Sequence, residues 1–569
     1  MGRPVRKLGP GVTAAIRYAE AIDAGQRTVC GHVIAACRRF LTDYDAALSG
    51  AGLWDFDPKK AETAMWFAGQ LPNIKGPAAG TPLVLMDWQQ FVFANLFGFV
   101  ARDGGARRFR QGVVYIPRGN GKTTIAAPIA LFLTFADGEG GAEGYAAAVT
   151  RDQARILFDA AREMVKRAPE FRAKAGIEVG AHAIFRQANA SRFVPISSDA
   201  KALDGLNVQA AVCDEIASHK TSQVYDVLLT AMGKRRHPML LSVSTATGNT
   251  TGIGKQLWDY SVRVLEGTQQ DDRLFALIYT IDEGDDPWDE ASWVKANPSW
   301  GQAVQPDAIR AIMRQARNNP AQEAAAMTRH LNVWQGADDA LFSIRAWREC
   351  SRPGMSLDEL EGEECHASLD LASKTDLAAL NLVFPSRADE MRLHYKIFAR
   401  CYLNEAAVME ARNASYPGWA ADGYLTVTEG NETDFQRIED DLLEFCRRFR
   451  VLSVAYDPWA ATQFAQRMIA QDVPMIEFRA NTQNFSEPTK ELDAAMRSGR
   501  IEHDGNPALE WCIGNVVGRY DARANVYPKK SRPEQKIDAA IAAIMGIARC
   551  MAAEDESPYA DGRGLLVLN

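Results

Sequence analysis

Gly112-Val-Val-Tyr-Ile-Pro-Arg-Gly-Asn-Gly-Lys-Thr-Thr124 runs from an apolar strand into a glycine-rich turn and then Lys-Thr. That order suits a chain that holds a triphosphate. In a Walker A loop the backbone N–H groups of Gly119, Asn120 and Gly121 cradle phosphate oxygens, Lys122 reaches the β/γ-phosphates, and the Thr123 hydroxyl ligates Mg²⁺. Thr124 completes the expected nucleotide-binding set. The leading glycine of GxxxxGK[ST] is replaced here by Ile116, and Arg118 sits inside the loop. Taken alone, the turn also fits an ordinary strand–turn–helix. The helix expected over 122–134 contains Pro128, which should remove a hydrogen bond and kink it.

The second half of such a site follows at Val208-Gln-Ala-Ala-Val-Cys-Asp-Glu215. A buried strand delivering two adjacent carboxylates is a Walker B: Asp214 would hold Mg²⁺ through water and Glu215 would polarise the attacking water. Between the two lies Tyr145-Ala-Ala-Ala-Val-Thr150, read as a parallel strand. After them Pro238-Met-Leu-Leu-Ser-Val-Ser-Thr-Ala-Thr-Gly248 reads as a strand ending in small hydroxyl residues, suited either to sensing a γ-phosphate or to plain turn chemistry. Upstream, Asp87-Trp-Gln89 places an amide before the phosphate loop. Gln89 could read the adenine edge with its acceptor and two donors. The spacing fits equally a helix with Trp88 and Phe91 in the core and Gln89 exposed.

The whole chain sets limits. Its 569 residues exceed one ordinary core and suggest two domains with additions. No apolar run reaches the roughly 18 residues of a membrane span, and the N-terminal residues lack the apolar segment of a signal peptide. A cytoplasmic setting is expected. The nine cysteines show no C-x-x-C spacing and read as reduced thiols, and the eight histidines form no H-x-x-x-H pair. A net charge of −8 opposes non-specific binding to nucleic acid. Local basic clusters at Arg102 to Arg110, Lys234-Arg-Arg-His237, Arg447-Arg448 and Lys529-Lys-Ser-Arg532 nevertheless leave room for a grip on DNA.

The chain starts anew after Ser351-Arg-Pro-Gly354. His366 to Phe384 reads as strand, turn and strand, the start of a β-meander, with Asp370 on the first strand and Asp376 ordering the turn. Val451-Leu-Ser-Val-Ala-Tyr456 is another buried strand, ending in Asp457-Pro458. Lys536-Ile-Asp538 opens a helix with Asp538 in its first turn. Asp370, Asp457 and Asp538, on two strands and a helix start, suit two hard divalent ions about 4 Å apart at a phosphodiester. Each alone also has a structural reading: Asp457 in a turn, Asp538 as a cap.

Together these stretches resemble the large subunit of tailed-phage (or prophage) terminases. The resemblance covers nearly the whole chain and rests on Asp87-Trp-Gln89, the deviant loop with Arg118, Cys213-Asp-Glu215, Ser244-Thr-Ala-Thr-Gly248, Ser368-Leu-Asp370, Tyr456-Asp-Pro458, His503-Asp-Gly-Asn-Pro507 and Lys536-Ile-Asp538. It implies an α/β architecture: a RecA-like P-loop ATPase domain followed by a ribonuclease H-like α/β nuclease domain. It further implies ATP and Mg²⁺, with Mn²⁺ as a substitute in the nuclease, and double-stranded DNA as substrate. The implied partners are a small terminase subunit, a portal protein, a pentameric ring of copies and, in some members, an HNH endonuclease. The implied setting is the host cytoplasm, transiently at the procapsid portal vertex. The arginine finger is either Arg118 or one from a neighbouring copy. A translocase or helicase without nuclease activity, or an inactive prophage assembly protein, is the alternative.

The expected organisation is a helical arm over 1–60, an ATPase core over 61–262, a lid and linker over 263–359, the nuclease over 360–552 and a flexible tail over 553–569. The arm rests on the helical spacing of Val12, Ala15, Ile16, Ala19 and Ile22.

Overall fold

The computed structural model describes residues 8–560 apart from 103–104, 198–204, 220, 318–319, 336–339, 373, 375, 390–391, 411–412, 414, 522 and 531–533. The chain divides into two compact units: Met1–Arg317 with Ala325–Gln335, and Asn318–Ala324 with Gly336–Asn569.

The first unit is built on an eight-stranded sheet. Its order is Leu274–Ile278, Gln111–Tyr115, Met239–Ser244, Val208–Asp214, Glu143–Ala148, Ser191–Ser197, Ile184–Arg186, Glu178–Val179. The first six strands are parallel and the last two antiparallel. Val208–Asp214 and Met239–Ser244 are buried along their whole length, as central parallel strands covered on both faces must be, which is why their sequences are mostly apolar. One strand therefore separates the phosphate-loop strand from the strand bearing Asp214, the RecA-like order. The helix Lys122–Phe135 runs unbroken through Pro128, and its residues from Ile125 to Phe135 are all buried.

Two expected boundaries move. The helices Pro10–Asp23 and Gly31–Ser49 form, but their buried Val12, Ala15, Ala19, Ile22, Val33 and Phe40 belong to the same core as the sheet, so the described part of the expected arm packs into the first unit. Leu274–Ile278 pairs with Gln111–Tyr115, so the expected linker over 263–359 begins inside the ATPase sheet. Trp293, Val304, Ile309, Met313, Met327 and Leu331 form a small satellite core of their own.

The second unit carries a seven-stranded mixed sheet ordered Leu425–Thr428, Arg392–Asn404, Ala378–Asp389, Glu364–Asp370, Arg450–Tyr456, Met475–Glu477, with Ile501–His503 also pairing Arg392–Asn404. The three long strands form the expected antiparallel meander, and Arg450–Tyr456 joins parallel to Glu364–Asp370. This is the ribonuclease H-like pattern. The unit starts well before 360: Phe342 and Trp347 are buried in its core, and Trp347 stacks on His503 with ring centroids 4.1 Å apart. The helix Asp538–Ala560 crosses the sheet on an alanine-rich face, with Ser368 donating to the Ala542 carbonyl (2.6 Å) and Asn381 to that of Ala539 (2.8 Å). It extends into the expected flexible tail as far as 560; residues 561–569 lie outside the described residues.

Candidate active sites: a phosphate loop and a carboxylate cluster

Between the end of Gln111–Tyr115 and the helix at Lys122, Gly119 and Gly121 both adopt φ of 88°, a left-handed backbone that residues with a Cβ rarely enter. The turn leads into the N-terminus of that helix, where an anion is favoured. A cavity of about 390 Å³ opens there, lined by Arg118, Gly119, Gly121, Lys122, Thr123, Thr124 and Glu215 among others. Lys122 donates to the Thr245 hydroxyl and lies 3.2 Å from a Glu215 carboxylate oxygen. The strand end at 238–248 thus meets the phosphate lysine directly. Thr245 in turn donates to the Ile116 carbonyl at 2.9 Å.

Asp214 is buried at the end of its strand, and Glu215 follows in the left-handed region at φ 50°, its N–H donating to Asp214 Oδ1 at 3.0 Å. Burial, then the neighbouring Glu215, push the Asp214 carboxyl up to about 6, against the pull of Lys122 and of that N–H. A desolvated carboxylate beside a hydroxyl-bearing helix start is a donor set that fits Mg²⁺ with Thr123.

Two expected residues make contacts that the motifs do not show. Gln89 is buried rather than exposed; its carbonyl accepts from Met86 N–H at 3.0 Å, and its amide nitrogen lies 3.5 Å from where a Gly121 Cβ would stand. It does not line the phosphate cavity. Asn120 offers more than its backbone: its fully buried side chain donates to Pro117 O (3.2 Å) and Asn297 Oδ1 (2.7 Å) and accepts from Ser299 N–H (3.0 Å).

In the second unit, Leu369 pairs in parallel register with Tyr456, so Asp370 and Asp457 leave the carboxyl edge of adjacent strands. Asp538 heads the helix lying across that sheet. Burial, then Asp538 and Asp457, hold the Asp370 carboxyl well above its ordinary range, and burial followed by Asp376 raises Asp538 to about 6. Asp538 Oδ2 is buried with no hydrogen-bond partner, and a cation would satisfy it. Among the described residues no three acidic, histidine or cysteine side chains stand close enough together to hold one ion, and Asp457 Oδ1 caps the following helix at Trp459 N–H (3.1 Å). The carboxylate set suits hard divalent ions.

Asp376 does not merely order its turn. It pairs with Lys530 at 3.0 Å and with Lys536, and those hydrogen bonds outweigh burial to hold its carboxyl low. Four arginines of the basic clusters are paired within the fold: Arg107 with Asp137, Arg108 with Asp43 and Asp272, Arg235 with Glu139, and Arg448 with Asp358 and Glu361.

The family described as terminase large subunit, ATPase domain, matches residues 87–263, and that described as terminase large subunit, endonuclease domain, matches 268–554. Protein YmfN of Escherichia coli (strain K12) is 34% identical over 367 residues, covering 63% of this chain and 81% of that protein. The terminase large subunit of Enterobacteria phage HK97 is 25% identical over 482 residues, covering 83% and 92%. The crystal structure of the HK97 bacteriophage large terminase aligns with a TM-score of 0.42 at 22% identity, over 86% of this chain and 99% of that one. With one family description falling on the phosphate loop and its carboxylates and the other on the three aspartates, the chain belongs to the terminase large subunits and carries their ATPase and endonuclease domains.

Proposed function

We propose that this chain is the motor that drives double-stranded viral DNA into a procapsid with ATP, and the nuclease that cuts the concatemeric genome at a two-metal site. The observation that carries the reading is the joint presence, in one chain, of Lys122 held against Glu215 and Thr245 at a phosphate loop and, at a second sheet, of a buried Asp370 whose carboxyl is raised by burial and by Asp538 and Asp457.

At the first site the loop N–H groups and Lys122 bind the β/γ-phosphates. Glu215 orients and polarises the attacking water once Lys122 moves from it to phosphate. Thr123 and Asp214 would hold the nucleotide's Mg²⁺. Arg118 is exposed at the cavity of its own chain, which supports it as the finger in its own subunit. Gln89, with its carbonyl engaged, keeps an amide donor for the base.

At the second site Asp370, Asp457 and Asp538 would hold the divalent ions, Mg²⁺ with Mn²⁺ as substitute, which supply an activated water and stabilise the leaving oxygen. Asp376 keeps Lys530 and Lys536 beside the cluster, where they offset its charge. The partners proposed are a small terminase subunit, a portal protein, an HNH endonuclease and further copies of this chain in a pentameric ring, working in the host cytoplasm. No described helix is long and apolar enough to cross a membrane.

The test is Mn²⁺-dependent plasmid cleavage by Asp370→Asn, Asp457→Asn and Asp538→Asn, each expected to lose most of its activity. Asp376→Asn should lose less. Abolished cutting in Asp376→Asn with cutting intact in Asp370→Asn would move the first ligand.

A further inference from the structure

Three fully buried asparagines, Asn120, Asn297 and Asn332, stand around the phosphate loop, and all three have their carboxamides occupied. Asn120 Nδ2 reaches Asn297 Oδ1 at 2.7 Å. Asn297 uses its nitrogen on the carbonyls of Trp293 (2.8 Å) and His330 (2.9 Å), which fixes which way its amide faces. Ser299 closes the contact from the other side, donating its N–H to Asn120 Oδ1 and its hydroxyl to Asn120 O (3.2 Å). One residue before His330, the Arg329 carbonyl accepts from Arg118 N–H at 2.8 Å, so the segment ending the helix Pro320–Leu331 holds the loop twice.

The same segment reaches the other side of the site. Asn332 adopts a left-handed backbone, φ 60°, at full burial. Its Oδ1 accepts from Ala246 N–H (2.7 Å) and its Nδ2 donates to Tyr279 O (2.6 Å). Ala246 follows Thr245, the hydroxyl that meets Lys122. A carboxamide carries a donor and an acceptor on one short rigid group, so neither an aspartate nor an aliphatic side chain can make both links at once.

We propose that Asn297 and Asn332 are positioning residues for ATP hydrolysis: Asn297 sets the phosphate loop through Asn120, and Asn332 sets the Thr245 strand end. Neither lies in a nucleotide motif. The proposal rests on the phosphate loop being the ATP site. A loosened loop weakens the grip on phosphates in ground and transition states alike, whereas a displaced Thr245 changes what Lys122 and Glu215 do during reaction.

Steady-state ATPase kinetics on the full chain separate the two. Asn297→Ala should raise KM for ATP about tenfold with kcat within about threefold of the parent, and Asn332→Ala should lower kcat about tenfold with nucleotide affinity nearly unchanged. Ser299→Ala, which keeps the backbone link to Asn120 and loses the hydroxyl, should show a smaller rise in KM alone, and carries the test if an asparagine variant does not fold. Parental kcat and KM in all the folded variants would overturn the proposal. So would losses that only follow a lowered melting temperature with Ser299→Ala at the parental KM. Lys122→Ala in the same assay distinguishes the failures. If it also retains turnover, the ATP site has been misplaced; if it alone is inactive, only the brace is rejected.

Discussion

Glu215 is a non-glycine residue held at φ 50°, with its carboxylate between Lys122 and the Ser244 hydroxyl (3.5 Å). A backbone held there against its preference costs on the order of 1 kcal/mol and aims the side chain off the strand end into the cavity. Glu215→Gln should retain bound nucleotide and slow hydrolysis on the order of a thousandfold, read as phosphate release against retained ADP affinity. Arg118→Ala should lower turnover in the monomer, and mixing it with Lys122→Ala should restore nothing; recovered activity would place the finger across a subunit interface. In the second unit, His366 Nδ1 lies 2.8 Å from the Ser453 hydroxyl, which also accepts from Arg549 at 3.1 Å. Burial, then Arg549, push the His366 pKa from 6.5 down to about 4, so its ring is neutral near pH 7. The unfolded chain therefore takes up a proton before the folded one. Stability present above about 6.5 should be lost as pH falls toward 4, by at most about 3 kcal/mol, and His366→Gln should flatten that limb of a melting-temperature profile.

Elements, more than single residues, were legible in the sequence. The strands at 208–214 and 239–244 announce themselves because burial on both faces leaves mostly apolar runs, the strand at 450–456 by its buried second half, and the meander from Glu364 onward by its turn spacing. The strand Leu274–Ile278 was missed as part of the first sheet because its partner, Gln111–Tyr115, is far away in sequence and periodicity says nothing of pairing. Asn297 was missed for the same reason: it meets Asn120 across 177 residues. Gln89 was placed on the right element, yet its burial was not, since the helix Asp87–Gly98 is covered nearly all round and gives no polar face to read. Asp457, read either as a metal ligand or as a turn residue, is the N-cap of Pro458–Ile469 at the end of its strand. Asparagine caps about as well as aspartate, so Asp457→Asn should lose cleavage and keep its melting temperature, while Asp457→Ala should lose cleavage and about 1 kcal/mol besides.

At the scale of the whole molecule, each chemical site stands on its own sheet and its own core: the phosphate loop on the core that runs from Val12 to Tyr279, the aspartates on the cores around Leu369 and Ala539. Two independent foundations mean that neither chemistry needs the other's charged groups in place. Bound nucleotide should therefore raise the melting temperature of the Asp370→Asn chain as it does the parent's, in proportion to the logarithm of ligand concentration. The most direct measurement is a crossed assay on the full-length chain, ATP turnover and Mn²⁺-dependent plasmid cleavage on Lys122→Ala and Asp370→Asn. The account predicts that Lys122→Ala loses turnover and still cuts, and that Asp370→Asn stops cutting and still turns over ATP; a folded variant that loses both activities, or keeps both, would contradict it.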